Sequence, residues 1–110
     1  MKKFIPAFKG LISAFKDKSI RIQIVIAIIT VILGHIIKLT YLEWIAVIIC
    51  IGMVITLEMV NTCIERVCDL IKTQKDDKIA YIKDLSAASV LIAAFISLCV
   101  AVIIMTGRIQ

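Results

Sequence analysis

Three stretches of this chain restrict what it can fold into. Ile20 to Ile37 carries charged or strongly polar side chains only near its ends, at Arg21, Gln23 and His35; Tyr41 to Leu57 has only Glu43, near its start; Leu85 to Gly107 has no charge at all. A bilayer core about 30 Å thick is crossed by about 20 mostly apolar helical residues, so each stretch reads as a transmembrane helix. Of the 110 residues 62% are hydrophobic, with only 4 Gly and 1 Pro. That composition suits one membrane-embedded unit and is too apolar for a soluble domain of this length.

Residues 1–19 have a different pattern. Phe4, Ile5, Phe8, Leu11, Ile12 and Phe15 recur at helical spacing between Lys2, Lys3, Lys9, Lys16 and Lys18. A cleavable signal would carry one apolar block, whereas this alternation predicts an amphipathic helix in the membrane interface with its lysines toward anionic head groups. The expected architecture is therefore all-α and integral to the membrane: an interfacial helix over 1–19, transmembrane helices over 20–37, 41–71 (with a cytoplasmic extension) and 85–107, and a cytoplasmic loop over 72–84.

Lys and Arg set the orientation. They concentrate before and at the start of the first span, and again at Arg66, Lys72, Lys75, Lys78 and Lys83, leaving Lys38 and Arg108 for the other side. The N-terminus and the 66–84 segment are expected in the cytoplasm, the C-terminus outside. The net charge of +5 is accounted for by this bias and by attraction to anionic lipid, without a nucleic-acid partner. Cys50, Cys63, Cys68 and Cys99 form no CxxC pair and read as small packing residues. His35, with no acid or Cys at ligand spacing, reads as an interfacial polar group.

The exception to the apolar pattern is LEMVNTCIERVCDL, residues 57–70. At 100° per residue Glu58, Thr62, Glu65 and Asp69 fall within an arc of roughly 60°, with Asn61 about 60° to one side. The stripe runs about 16 Å along the helix, from inside the cytoplasmic leaflet to its aqueous edge. An acid at bilayer depth costs on the order of 2.5–3.5 kcal/mol by insertion scales and usually faces a partner helix or a wet cavity. Glu65 and Asp69 have a simpler reading as helix-end acids paired with Arg66 or Lys72. Glu58 does not, because it lies deeper with no Lys or Arg within a turn, and a carboxylate so placed suits a general base. Asp17 and Asp84 approach the same rim from other segments. Clustered carboxylate and amide oxygens suit Mg²⁺, and Lys75, Lys78 and Lys83 suit phosphate. Gly10, Gly34, Gly52 and Gly107 form no GxxxxGK[ST] and no GxGxxG, so a nucleotide here would not use a P-loop.

EMVNTCIERVCDL (58–70), followed after a short basic stretch by KDLSAASVL (83–91), resembles the small three-helix bacterial membrane lipid kinases, the prokaryotic diacylglycerol kinases, which include undecaprenol kinases. The resemblance covers essentially the whole chain and is loosest before residue 20. It implies that Glu58 is the catalytic acid, taking the proton from a lipid hydroxyl that attacks the γ-phosphate of ATP. It implies that Glu65 binds Mg²⁺, with Asn61 positioning nucleotide and metal, and that a second metal acid lies just ahead of the first span. The matching residue here is Asp17, one methylene shorter than the family's Glu and next to an apparent one-residue deletion. Asp69, Gln74, Lys75, Asp76, Lys83 and Asp84 match nucleotide-contacting positions, and Phe8, Phe15 and Ala87 are expected against the lipid substrate. The resemblance also implies a homotrimer in a bacterial plasma membrane, with sites shared between subunits; the small-residue run Ser86 to Ser89 would let helices approach closely.

Two lipid alcohols are weighed as substrate, undecaprenol ahead of diacylglycerol because EMVNT resembles the Gram-positive branch. A proton-coupled small multidrug exporter, of similar size and with a membrane Glu, would need four spans and its acid near the middle of the first. A non-catalytic assembly subunit would leave Glu58, Asn61 and Glu65 unexplained.

Overall fold

The structure, a computed structural model, describes residues 2–71 and 76–109. Within them the chain forms four helices: α1 (Phe4–Ala14), α2 (Lys18–Ile37), α3 (Tyr41–Ile71) and α4 (Asp77–Ile109). α2, α3 and α4 are each long and apolar enough to cross a membrane. The described residues are thus all-helical, with three candidate membrane spans.

α1 ends where the chain must turn. Phe15 closes it, and Asp17 takes an extended backbone (φ −81°, ψ 128°) that redirects the chain into α2. The Asp17 carboxylate makes no capping bond to α2, so it is available to another partner. At the far end of α2, Lys38 adopts the left-handed conformation (φ 60°), and the Leu39 N–H donates to the Gly34 carbonyl at 3.1 Å. This stops the helix.

A reciprocal cap starts α3. The Glu43 carboxylate accepts from the Thr40 N–H at 2.9 Å, while the Thr40 hydroxyl accepts from the Glu43 N–H at 3.3 Å, a capping box. Arg108, from the end of α4, closes the same corner. It donates to Glu43 Oε1 at 2.5 Å, to the Lys38 carbonyl at 3.1 Å and to the Ile37 carbonyl. One guanidinium therefore satisfies the last carbonyls of α2 and the cap of α3. His35 lies against Trp44, ring centroids 4.9 Å apart.

α3 and α4 run antiparallel and form the main seam, its register marked by Glu43 with Arg108, Asn61 with Ser86, and Asp69 with Lys83. At 31 residues α3 is about 46 Å long, well beyond a bilayer core. α4 begins at Asp77, so residues 77–84, expected as loop, are helical. The cause is Asp76, whose carboxylate accepts from the Lys78 N–H at 2.8 Å and the Ile79 N–H at 3.4 Å, with Asp77 adding an acid in the first turn.

Gly34 is the glycine that packing demands. A methyl group there would lie 2.7 Å from Trp44 Cη2 and 2.9 Å from Leu39 Cδ1, whereas one at Gly52 would meet nothing within 4 Å. Gly34→Ala is expected to destabilise the α2–α3 corner by about 1–3 kcal/mol, read as a lower thermal midpoint in detergent, while Gly52→Ala leaves the midpoint unchanged or higher.

Candidate functional site

The acidic stripe of α3 divides by burial. Glu58 and Asn61 are buried, at 8% and 6% exposure, whereas Glu65 and Asp69, nearer the end of the helix, are exposed. Asn61 faces α4. Its Oδ1 accepts from the Ser86 hydroxyl at 2.7 Å, and its Nδ2 donates to Glu65 Oε1, one turn along α3, at 2.8 Å. A buried amide with both ends bonded is held in one orientation. Cys68, seven residues on, is the next buried position of α3.

Glu58 has different surroundings. Its backbone carbonyl accepts from the Thr62 hydroxyl at 2.9 Å, and among the described residues its carboxylate meets neither a cation nor a hydrogen-bond donor. The residue is largely enclosed but its carboxylate oxygens are not sealed off: among the described residues no side-chain oxygen or nitrogen is both fully buried and without a hydrogen-bond partner.

The rim is built from ion pairs. Arg66 Nη2 meets Asp17 Oδ1 at 2.7 Å, tying the α1–α2 turn to α3, and Lys83 Nζ meets Asp69 Oδ1 at 2.9 Å, tying α4 to α3. These partners differ from the simpler reading of the sequence, in which Arg66 serves Glu65 or Asp69. On α3 Arg66 lies about 80° around from Glu58, which turns it toward the α1–α2 corner. Asp76 caps α4, Asp84 is exposed, and Gln74 and Lys75 lie outside the described residues.

An open apolar groove of about 500 Å³ lies between α1 and α3, lined by Phe4, Phe8, Leu11, Asp17, Met59 and Thr62 among others. Phe8 thus faces it. Phe15 is half-exposed and outside the lining, and Ala87 is exposed on α4. Asp17 and Thr62 give the groove a polar end, and Glu58 does not line it within this single chain.

The donor set for a metal is hard oxygen. Among the described residues no three His, Cys, Asp or Glu side chains converge, so the chain offers single carboxylates at Glu65 and Asp17. Mg²⁺ commonly takes one or two carboxylates and completes its shell with phosphate oxygens and water, and these residues fit that use. Two partners escaped the sequence reading: Arg66 for Asp17, separated by 49 residues, and Ser86 for Asn61, separated by 25. The signal for the second was a serine one helix-width from the stripe in an antiparallel register.

Comparison with known proteins bears on what this arrangement does. The family model described as prokaryotic diacylglycerol kinase matches residues 6–105. The undecaprenol kinase of Bacillus subtilis (strain 168) is 29% identical over 104 residues, covering 94% of this chain and 85% of that protein.

The Asp17–Arg66 pair is largely solvent-exposed on the arginine side, so its coupling should be small. A double-mutant cycle with Asp17→Ala and Arg66→Ala is expected to give a thermal-stability coupling below about 1 kcal/mol that shrinks in salt. A larger, salt-insensitive value would mean the pair is shielded from water.

Proposed function

The chain belongs to the prokaryotic diacylglycerol kinase family and is a lipid kinase; from that premise we propose that it transfers the γ-phosphoryl group of ATP to the hydroxyl of undecaprenol at the α3–α4 seam. The observation that carries the reading is the vertical order on α3. Glu58, buried and without a side-chain partner among the described residues, lies about 10 Å along the helix from an exposed Glu65, with the buried Asn61 between them. A lipid alcohol keeps its tail in the bilayer while ATP arrives from water, so the base belongs deep and the nucleotide-binding acid at the rim.

Phosphoryl transfer asks a protein chiefly for alignment and charge neutralisation. Glu58 takes the proton of the attacking lipid hydroxyl. Glu65, held by Asn61, and Asp17 supply carboxylate oxygens for Mg²⁺, which when bound offsets the charge of the β- and γ-phosphates. Asp17 reaches this role by exchanging Arg66 for the metal, which turns the guanidinium toward phosphate. Asp69, Lys83 and Asp84 surround the nucleotide from the helix ends. Asp76, with Gln74 and Lys75, belongs to the connection that covers it. The α1–α3 groove holds the isoprenoid or acyl tail against Phe8, with Phe15 and Ala87 at its margins.

Undecaprenol takes precedence because the Bacillus subtilis relative is an undecaprenol kinase and matches nearly the whole chain. The description of the family favours diacylglycerol as the second reading. The exporter alternative needs four spans, and the described residues contain three. We also infer a homotrimer in a bacterial plasma membrane. Glu58 lies outside the groove of its own chain, and among the described residues no large hydrophobic side chain is fully buried in one copy; both favour a site completed by a neighbour. The N-terminus and the α3–α4 connection lie in the cytoplasm by the Lys and Arg distribution.

In mixed micelles the protein is expected to phosphorylate undecaprenol in preference to diacylglycerol with ATP and Mg²⁺, and Glu58→Gln to lower kcat by about 10²–10⁴-fold. Labelling of diacylglycerol alone would reverse the substrate assignment. A folded wild type that labels neither lipid would overturn both. A reporter fused to the C-terminus is expected to report the outer side; a cytoplasmic signal would contradict the three-span topology.

A further inference from the structure

We propose that Ser86 is a positioning residue for the phosphoryl transfer, its hydroxyl fixing the Asn61 amide and, through it, the Glu65 carboxylate that receives the metal-bound nucleotide. The proposal rests on the kinase reading of Glu65 and adds a residue from α4 to it.

The chemistry of the three groups leaves one arrangement. An ionised Glu65 can only accept hydrogen bonds, so the amide must turn Nδ2 toward it, as it does at 2.8 Å. Oδ1 then points at α4, where it needs a donor. Ser86 Oγ is there at 2.7 Å, and both side chains are buried, Ser86 at 8% exposure. Ser89, the other serine of the run, is committed elsewhere, donating to the Ser86 carbonyl at 2.6 Å. Without the Ser86 hydroxyl the buried Oδ1 loses its donor, and the amide gains a reason to rotate toward water and release Glu65. Partners that orient a metal-binding carboxylate from outside are commonly worth 10–100-fold in affinity or activity.

Purely structural glue between α3 and α4 would move stability alone. The distinguishing measurement is Mn²⁺ binding by electron paramagnetic resonance, titrated with a non-hydrolysable ATP analogue and the full-length protein in micelles without lipid, beside steady-state kinetics. Ser86→Ala is expected to weaken Mn²⁺–nucleotide binding about tenfold and to raise KM for ATP more than it changes kcat, while Ser86→Thr stays within about twofold of wild type. In an Asn61→Ala background Ser86→Ala should add nothing further. Wild-type affinity in Ser86→Ala, equal loss in the Ala and Thr variants, or a full additional loss on top of Asn61→Ala would each overturn the relay. Glu65→Gln, run alongside, separates the two levels. If it abolishes binding while Ser86→Ala does not, only the relay is wrong; if it binds as wild type, the assignment of Glu65 falls and the relay with it. Should Ser86→Ala fail to fold, Ser86→Thr against its isostere Ser86→Val carries the same comparison, with tighter binding expected in the threonine variant and equal binding overturning the proposal.

Discussion

Between helices in lipid, burying one apolar side chain against another gains little over leaving it in contact with acyl chains, so register must come from close packing and polar contacts. In this chain the seam between α3 and α4 has such a contact at Ser86 and Asn61. It fixes which face of α3 is turned to α4, which buries Cys68 seven residues on. It also leaves Arg66, on another side of the same helix, free to reach the α1–α2 turn. A rotation of α3 by one residue would turn the stripe away from α4 and part Asp17 from Arg66.

The two ends of the seam are built differently. At the Glu43–Arg108 end Arg108 gathers the last carbonyls of α2 and the capping box of α3, and Gly34 lets Trp44 approach without a methyl group between them. Caps and guanidinium there satisfy backbone groups that lipid cannot, a requirement of any helix end near hydrocarbon. At the Asp69–Lys83 end the ion pairs join side chains and are more exposed. Exposed pairs are weak.

The three spans and the stripe were legible in the sequence because both are periodic signals, one of composition and one of phase. α3 was readable across its length, since hydropathy carries its first half and the phase of Glu58, Thr62 and Glu65 its second. The start of α4 was not, because a charge-rich segment reads as loop until the carboxylate of Asp76 is seen capping it. The candidate acids could be named from their pattern, but their partners could not. Arg66 sits beside Glu65 in sequence yet serves Asp17, since neighbours in a helix point about 100° apart while the α1–α2 turn brings a remote residue into line. Ser86 was visible only as a small residue. Its role as a donor emerges from the antiparallel register, which depends on where both helices begin.

Glu58 carries the remaining argument. A carboxylate at membrane depth costs on the order of 2.5–3.5 kcal/mol; the acids of this chain that have partners lie instead at helix ends, Glu43 with Thr40 and Arg108, Asp17 with Arg66, Asp69 with Lys83. Glu58 is buried and receives neither cation nor donor from the described residues. Its neighbours could have provided one, for Thr62 stands one turn away, yet that hydroxyl bonds the Glu58 backbone and leaves the carboxylate alone. On the reading proposed above, an acid without a partner among the described residues, one turn from the doubly bonded Asn61, takes the proton of a hydroxyl that its substrate brings from the lipid side.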